Sequence, residues 1–269
     1  MGSRKPFESH DPMPEEYREI LIRLLKVHAD TETSVIFPET DWIRGNMNLA
    51  PTPEERVIEA RIYADELRHG LIFYKLLREL GTEVTVDYFR KERTLDFANV
   101  PVETWMDVVL LHFLTEKAGM LQLRDLIGCS YGPLARVIPR ITAEENSHTN
   151  IGYRHLQRLC RSAAGREEAQ ALLPKWYPAA LDMFGSSKSR WMDRYIEWGL
   201  KKTRYDDLRQ EFIREVNPKL ERLELAPPIR WRTGKFSSSS EGRNGSRRGP
   251  LRGAGRGRRD RRDRRRGWC

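Results

Sequence analysis

Asp65-Glu66-Leu67-Arg68-His69 is the stretch whose reading decides the fold. It lies in a run with helical spacing of apolar residues and sets a carboxylate, Glu66, three residues before an imidazole, His69. Residues three apart share one helix face, so both side chains point the same way. The pattern returns far downstream as Glu145-x-x-His148, preceded by Glu144. Two Glu-x-x-His helices, each with a lone Glu one helix earlier, are what a four-helix bundle needs to hold two metal ions.

The flanking sequence supplies that bundle. Thr52-Pro53-Glu54-Glu55 is a capping box with proline in its first turn, which predicts a helix over 53–81 ending at Gly81. Its ridge is Ile58, Ile62, Glu66, His69, Phe73, Leu76 and Leu77. Upstream, Pro14 with Glu15 and Glu16 opens a helix over 14–36 that carries Glu32. Pro38 ends it, and a loop is expected through Trp42, Gly45 and Pro51. Downstream, 82–100 reads as a crossover with a short strand at 83–86, long enough to let the third helix start far from the end of the second. That third helix, 102–127, carries Glu116. Pro133 opens the fourth, 133–163, which Pro139 should kink or loosen. Shorter helical pieces, broken by Pro174, Pro178 and Gly185, and a helix near 205–224 should wrap the bundle. The expected fold is all-α: a four-helix bundle with one long crossover and extra C-terminal helices.

Charge separates the body from its end. Of 48 basic and 39 acidic residues, 13 and 3 fall in 233–269, leaving 35 and 36 in 1–232. The body, at −1, is near neutral and gives no reason to place nucleic acid on it, whereas the Arg/Gly-rich tail, at +10, accounts for the chain's net charge of +9. Such a tail reads as disordered and is the one part suited to nucleic acid. The expected organisation is a flexible arm over 1–13, a domain over 14–232 and a disordered tail over 233–269. Cys129, Cys160 and Cys269 form no CxxC pair and no zinc or iron–sulfur spacing, which suits a reducing cytoplasm. The N-terminal residues show no signal-peptide pattern, and no run of about 18 apolar residues predicts a membrane span.

The candidate metal ligands are Glu32, Glu66, His69, Glu116, Glu145 and His148. Taken singly, each is an ordinary polar helix residue. Together they fall near the middle of four long helices on otherwise apolar faces, where unpaired carboxylates would cost several kcal/mol each. A donor set of oxygen with some nitrogen suits iron or manganese over thiolate-preferring metals. Around it, Asp65 is expected to orient a histidine of the opposite half by hydrogen bonding, and Glu144, His28 and His112 are further candidates for supporting contacts. Arg68 is a candidate partner for a nearby carboxylate, and Gly70, Gly119 and Gly152 leave space beside the ligands.

With these residues in view, the chain resembles the PaaA-like family, the catalytic components of the ring-1,2-phenylacetyl-CoA epoxidases. The resemblance rests on His28-Ala29 with Glu32, Pro38-Glu39 with Trp42-Ile43, Asp65-Glu66 with His69-Gly70, and Ser130-Tyr131-Gly132-Pro133 with Ala135-Arg136. It continues through Glu144-Glu145 with His148, Met183-Phe184-Gly185, Leu208-Arg209-Gln210 with Phe212, and Arg230-Trp231. It departs at Glu116, where the family implies Asp, and in the Arg-rich tail. The resemblance implies a ferritin-like di-iron monooxygenase of phenylacetate catabolism that epoxidises the ring of an acyl-CoA substrate with O2. It also implies a partner, a ferritin-like structural C-type subunit. No Gly-rich dinucleotide fingerprint or cysteine cluster is present, so electrons should come from a separate NAD(P)H-dependent reductase. The same six ligands would also serve a ferritin-like hydroxylase or N-oxygenase on another substrate. A non-catalytic structural partner would be expected to have lost them.

Overall fold

The computed structural model describes residues 5–33, 42–83, 100–232 and 235–238. They belong to a unit spanning Met1–Ser238; Ser239–Cys269, most of the expected tail, lies outside the described residues. All of the expected strand at 83–86 but Glu83, and nearly all of the crossover, likewise fall outside them.

Helix α1 (Glu15–Thr33) starts with Glu15 and Glu16, carboxylates placed where the helix dipole favours negative charge. Its buried stripe is Tyr17, Ile20, Leu21, Leu24, Leu25 and Ala29. A short helix, α2 (Trp42–Leu49), occupies part of the stretch expected to be loop. Its asparagine- and glycine-rich sequence hides the reason: Asn46 is fully buried and its amide donates to the Tyr63 hydroxyl, a tertiary bond that overrides weak local propensity. Helix α3 (Pro53–Glu79) begins as expected, with the Thr52 side chain accepting from the Glu55 amide. The chain turns at Gly81, whose φ of +68° lies in the left-handed region that glycine enters freely.

The third core helix is not uniform. Helix α4 (Trp105–Leu110) is capped reciprocally by Thr104 and Asp107. Leu111–Thr115 then forms a π-helical turn, and α5 (Glu116–Arg124) completes the run. The wider turn lies immediately before a candidate ligand, a usual place for such an insertion. Asp107 anchors this helix: its carboxylate accepts from Lys175 Nζ and Trp176 Nε1, each at 2.7 Å, and from the Glu103 and Thr104 amides at 3.0 Å.

Helix α6 (Gly132–Leu159) runs unbroken through Pro139. The helix is not ended there: Pro139 is on the exposed face, where water can satisfy the carbonyl that its missing N–H would have paired. Helix α7 (Ala163–Asp182) likewise continues through Pro174 and Pro178, so the segment is longer than its prolines imply. Helices α8 (Arg190–Glu197) and α9 (Tyr205–Glu221) follow. The antiparallel hairpin β1 (Ile229–Arg232) and β2 (Lys235–Ser238) carries strand pairing past the expected domain end at 232.

The N-terminal segment also departs from expectation. Residues 5–13, read as part of a loose arm, are pinned to the start of α6. The Phe7 amide donates to Ser130 O and the Gly132 amide to Phe7 O, both at 2.8 Å, while Arg136 grips Glu8 with two bonds of 2.8 Å.

Two apolar clusters fill the interior. One gathers Tyr17, Leu25, Phe73, Leu77, Leu123, Ile138 and Ile141; the other gathers Tyr63, Phe113, Leu156, Trp176, Tyr177 and Phe212. On α3 the Glu66–His69 pair falls between Tyr63 of one cluster and Phe73 of the other. On α6 the Glu145–His148 pair falls between Ile141 and Leu156. The polar residues thus form a layer between two hydrophobic halves. No helix among the described residues is long and apolar enough to cross a membrane.

One buried charge lies apart from this layer. Burial holds Lys201 at a pKa of about 8, against an ordinary 10.5, with Asp125 pulling the other way. The unfolded chain therefore binds more protons between about pH 8 and 10.5, and stability contributed at this position rises with pH across that window. Lys201→Met is expected to stabilise the fold by about 3 kcal/mol at pH 7 and by little near pH 10.5. Denaturant melts of both proteins at the two pH values check this.

Candidate metal centre

All six candidate ligands meet in the polar layer. One potential ligand atom each from Glu32, Glu66, His69 and Glu145 lies within 4.8 Å of the others, and the same holds for Glu66, Glu116 and His148. Glu66 belongs to both groups. Glu32 comes from α1, Glu66 and His69 from α3, Glu116 from the start of α5, and Glu145 and His148 from α6.

The two Glu-x-x-His segments cross-pair. His69 Nδ1 lies 2.9 Å from Oε1 of Glu145 and 3.5 Å from Oε2 of Glu32. His148 Nδ1 lies 3.1 Å from Oε1 of Glu66. On the far side of each ring, the acidic residue preceding the opposite glutamate closes the pattern. His69 Nε2 is 2.9 Å from Glu144, and His148 Nε2 is 3.2 Å from Asp65. With protons on the Nε2 atoms, both Nδ1 atoms present lone pairs to the interior. Arg68 joins the two acids, at 2.7 Å from Asp65 and 2.9 Å from Glu144. Asp65, Glu144 and Arg68 therefore sit where the sequence predicts supporting contacts.

The other two candidate histidines part company. His112 reaches Glu116 through Nδ1 and lies 2.9 Å from Glu59 through Nε2. His28, at the same four-residue spacing before Glu32, instead stacks on Phe73 at 5.3 Å, and its pKa falls to about 3 through burial and the nearby Lys201 charge. It belongs to neither ligand group. Glu59, by contrast, is not among the residues the sequence singles out, although it is only 1% exposed. The signal was available: positions 55, 59, 62, 66, 69 and 73 follow alternating steps of four and three along one face of α3.

Electrostatics marks the layer as unbalanced without cations. Burial, then the charge of Glu66, pushes the Glu145 carboxyl up to about 7. Burial also raises Glu32 well above the usual carboxylate range. Burial alone would lower the two imidazoles, but the surrounding carboxylates outweigh it and raise His69 to about 11 and His148 to about 10. Outside the layer, Glu144 is held near 2: burial opposes this, and bonds to His69, Arg68 and Arg140 prevail.

The donor set fits metal ions. Among the described residues, Glu66 Oε1, His69 Nδ1, Glu116 Oε2, Glu145 Oε1 and His148 Nδ1 are buried without a hydrogen-bond partner. Nitrogen and oxygen approach one another across this group at 2.9–3.1 Å without hydrogen-bonding geometry. Two ligand atoms each about 2.1 Å from one ion, at right angles, would lie about 3 Å apart. Four carboxylates match the charge of two divalent cations.

Fold and site together define a class: helical bundles in which two Glu-x-x-His segments and two further glutamates face one another, a set that fits a pair of metal ions. Within that class the chain belongs to the phenylacetic acid catabolic protein family, whose model matches residues 1–246. It is 30% identical over 230 residues to the A component of the 1,2-phenylacetyl-CoA epoxidase of Escherichia coli (strain K12), an alignment that covers 82% of this chain and 72% of that protein.

Proposed function

We propose that this chain is the catalytic subunit of a multicomponent monooxygenase that epoxidises the aromatic ring of phenylacetyl-CoA in phenylacetate breakdown. The observation that carries this reading is the presence of all six donors, brought together in one buried layer, in a chain of this family. Glu32, Glu66, His69 and Glu145 would hold one ion, and Glu66, Glu116 and His148 the other. When bound, two iron ions supply the reductive activation of O2 that protein side chains lack. The chain supplies the rest. Cross-pairing of His69 with Glu144 and of His148 with Asp65 fixes both rings, so that Nδ1 of each faces inward. Arg68 ties the two acids and holds the two halves in register. The apolar clusters on either side exclude water. One oxygen atom enters the ring as the epoxide and the other leaves as water, which requires two electrons and two protons. The electrons come from a separate NAD(P)H-dependent reductase, a ferritin-like C-type subunit completes the assembly, and the complex works in the cytoplasm.

The test is reconstitution. Iron-loaded protein with its structural partner and reductase is expected to consume O2 with phenylacetyl-CoA and to yield the ring epoxide by mass spectrometry. Loading with manganese in place of iron is expected to give no turnover. Coupled turnover of a non-thioester aromatic, with none of phenylacetyl-CoA, would overturn the substrate assignment.

A further inference from the structure

The chain carries two lone glutamates, Glu32 and Glu116, each with a histidine four residues before it. A symmetric site would treat the two alike. Instead His28 turns into the core against Phe73, while His112 is clasped between Glu116 and Glu59. His112 is 2% exposed and Glu59 1%, and Glu59 Oε1 is buried with no hydrogen-bond partner among the described residues. A leucine at 59 would fill the space without the cost of burying a carboxylate. What the glutamate adds is direction: it fixes the His112 ring, and the ring fixes one oxygen of Glu116. His112 also lies in the π-helical turn, with Gly152 of α6 so close that an added Cβ would fall 2.9 Å from His112 Cβ. The backbone on both sides therefore holds the imidazole in place.

We infer that Glu59 is a positioning residue: through His112 it orients Glu116 and so sets the affinity of the Glu66–Glu116–His148 position separately from that of the other position. This rests on the reading of the six residues as a two-ion site. Its consequence is an asymmetric pair of ions: both histidine donors have an outer acid, but of the two lone glutamates only Glu116 is held by a buried histidine–glutamate brace.

The experiment is an anaerobic titration of metal-free full-length protein with Co(II), followed optically, for the unaltered chain, Glu59→Leu, Glu59→Gln and His148→Ala. The unaltered chain is expected to bind two ions. In Glu59→Leu the step that His148→Ala abolishes should weaken about 10- to 100-fold, the usual scale for loss of an outer partner. The other step should stay within about twofold. Glu59→Gln, which keeps a hydrogen-bonding oxygen, should recover most of the loss and serves as the test if the leucine variant does not fold. Two steps unchanged in both variants, or two steps weakened equally, overturn the inference and leave the two-ion site standing. Fewer than two ions in the unaltered chain overturn both.

Discussion

His69→Ala is expected to leave a bundle that retains at most one metal ion per chain and has lost at least about a hundredfold in turnover. Loss of an outer partner costs about 10- to 100-fold, so loss of a direct donor should cost no less. The stability effect has an informative sign. In metal-free protein the His69 imidazole, raised to about 11, is the cation among Glu32, Glu66 and Glu145. Removing one partner of a buried charge pair costs about 3–5 kcal/mol. Glu145→Gln should do the reverse to stability while also impairing metal binding. Burial and Glu66 raise the Glu145 pKa from 4.5 to about 7, so stability at this position is present at low pH and is lost as pH rises from about 4.5 to 7. The glutamine variant, free of that penalty, should be more stable than the metal-free parent at pH 7 and nearly equal to it at pH 4.5. Metal-free melts at both pH values, beside metal analysis, check these opposite outcomes.

The second large effect is steric. A Cβ on Gly152 would fall 2.6 Å from the Phe113 amide nitrogen and 2.8 Å from the His112 carbonyl carbon. Both are backbone atoms, so no side-chain rotation relieves the contact. Gly152→Ala is expected to push α6 away from the π-helical turn, destabilising the fold by about 3 kcal/mol, roughly 6–12 °C in Tm for a domain of this size. It should also weaken metal binding, because His112 and His148 lie on the two surfaces being parted. Gly119→Ala is the control. Its Cβ would meet Met183 Cε at an ordinary 3.9 Å, and replacing a helical glycine removes an entropic cost, so its Tm should hold or rise slightly. Thermal melts of the pair decide between a packing contact specific to residue 152 and a general intolerance of larger residues near the site.

The parts of the site that were legible in the sequence share one property: they depend on spacing within a helix. Glu66 with His69, and Glu145 with His148, declare themselves by position alone, and Glu32 and Glu116 become legible once the pairs demand partners. Asp65 could be assigned to the opposite half because its neighbour Glu66 points inward. What was hidden depends on the facing element. Glu59 looks like any surface glutamate until His112 is set opposite it. His28 and His112 have the same spacing from a ligand and opposite fates, decided by Phe73 in one case and Glu59 in the other. The π-helical turn requires Gly152 on another helix, and α2 is closed by a bond from Asn46 to Tyr63. Pro139 lies within a continuous helix because a proline on a solvent face leaves a carbonyl that water can reach.

The central claim is that this buried layer holds two ions, and iron analysis of the protein purified from iron-supplemented cells tests it most directly. The expected result is close to two irons per chain, falling to one or fewer in His69→Ala. No iron in the unaltered, folded chain would contradict the account.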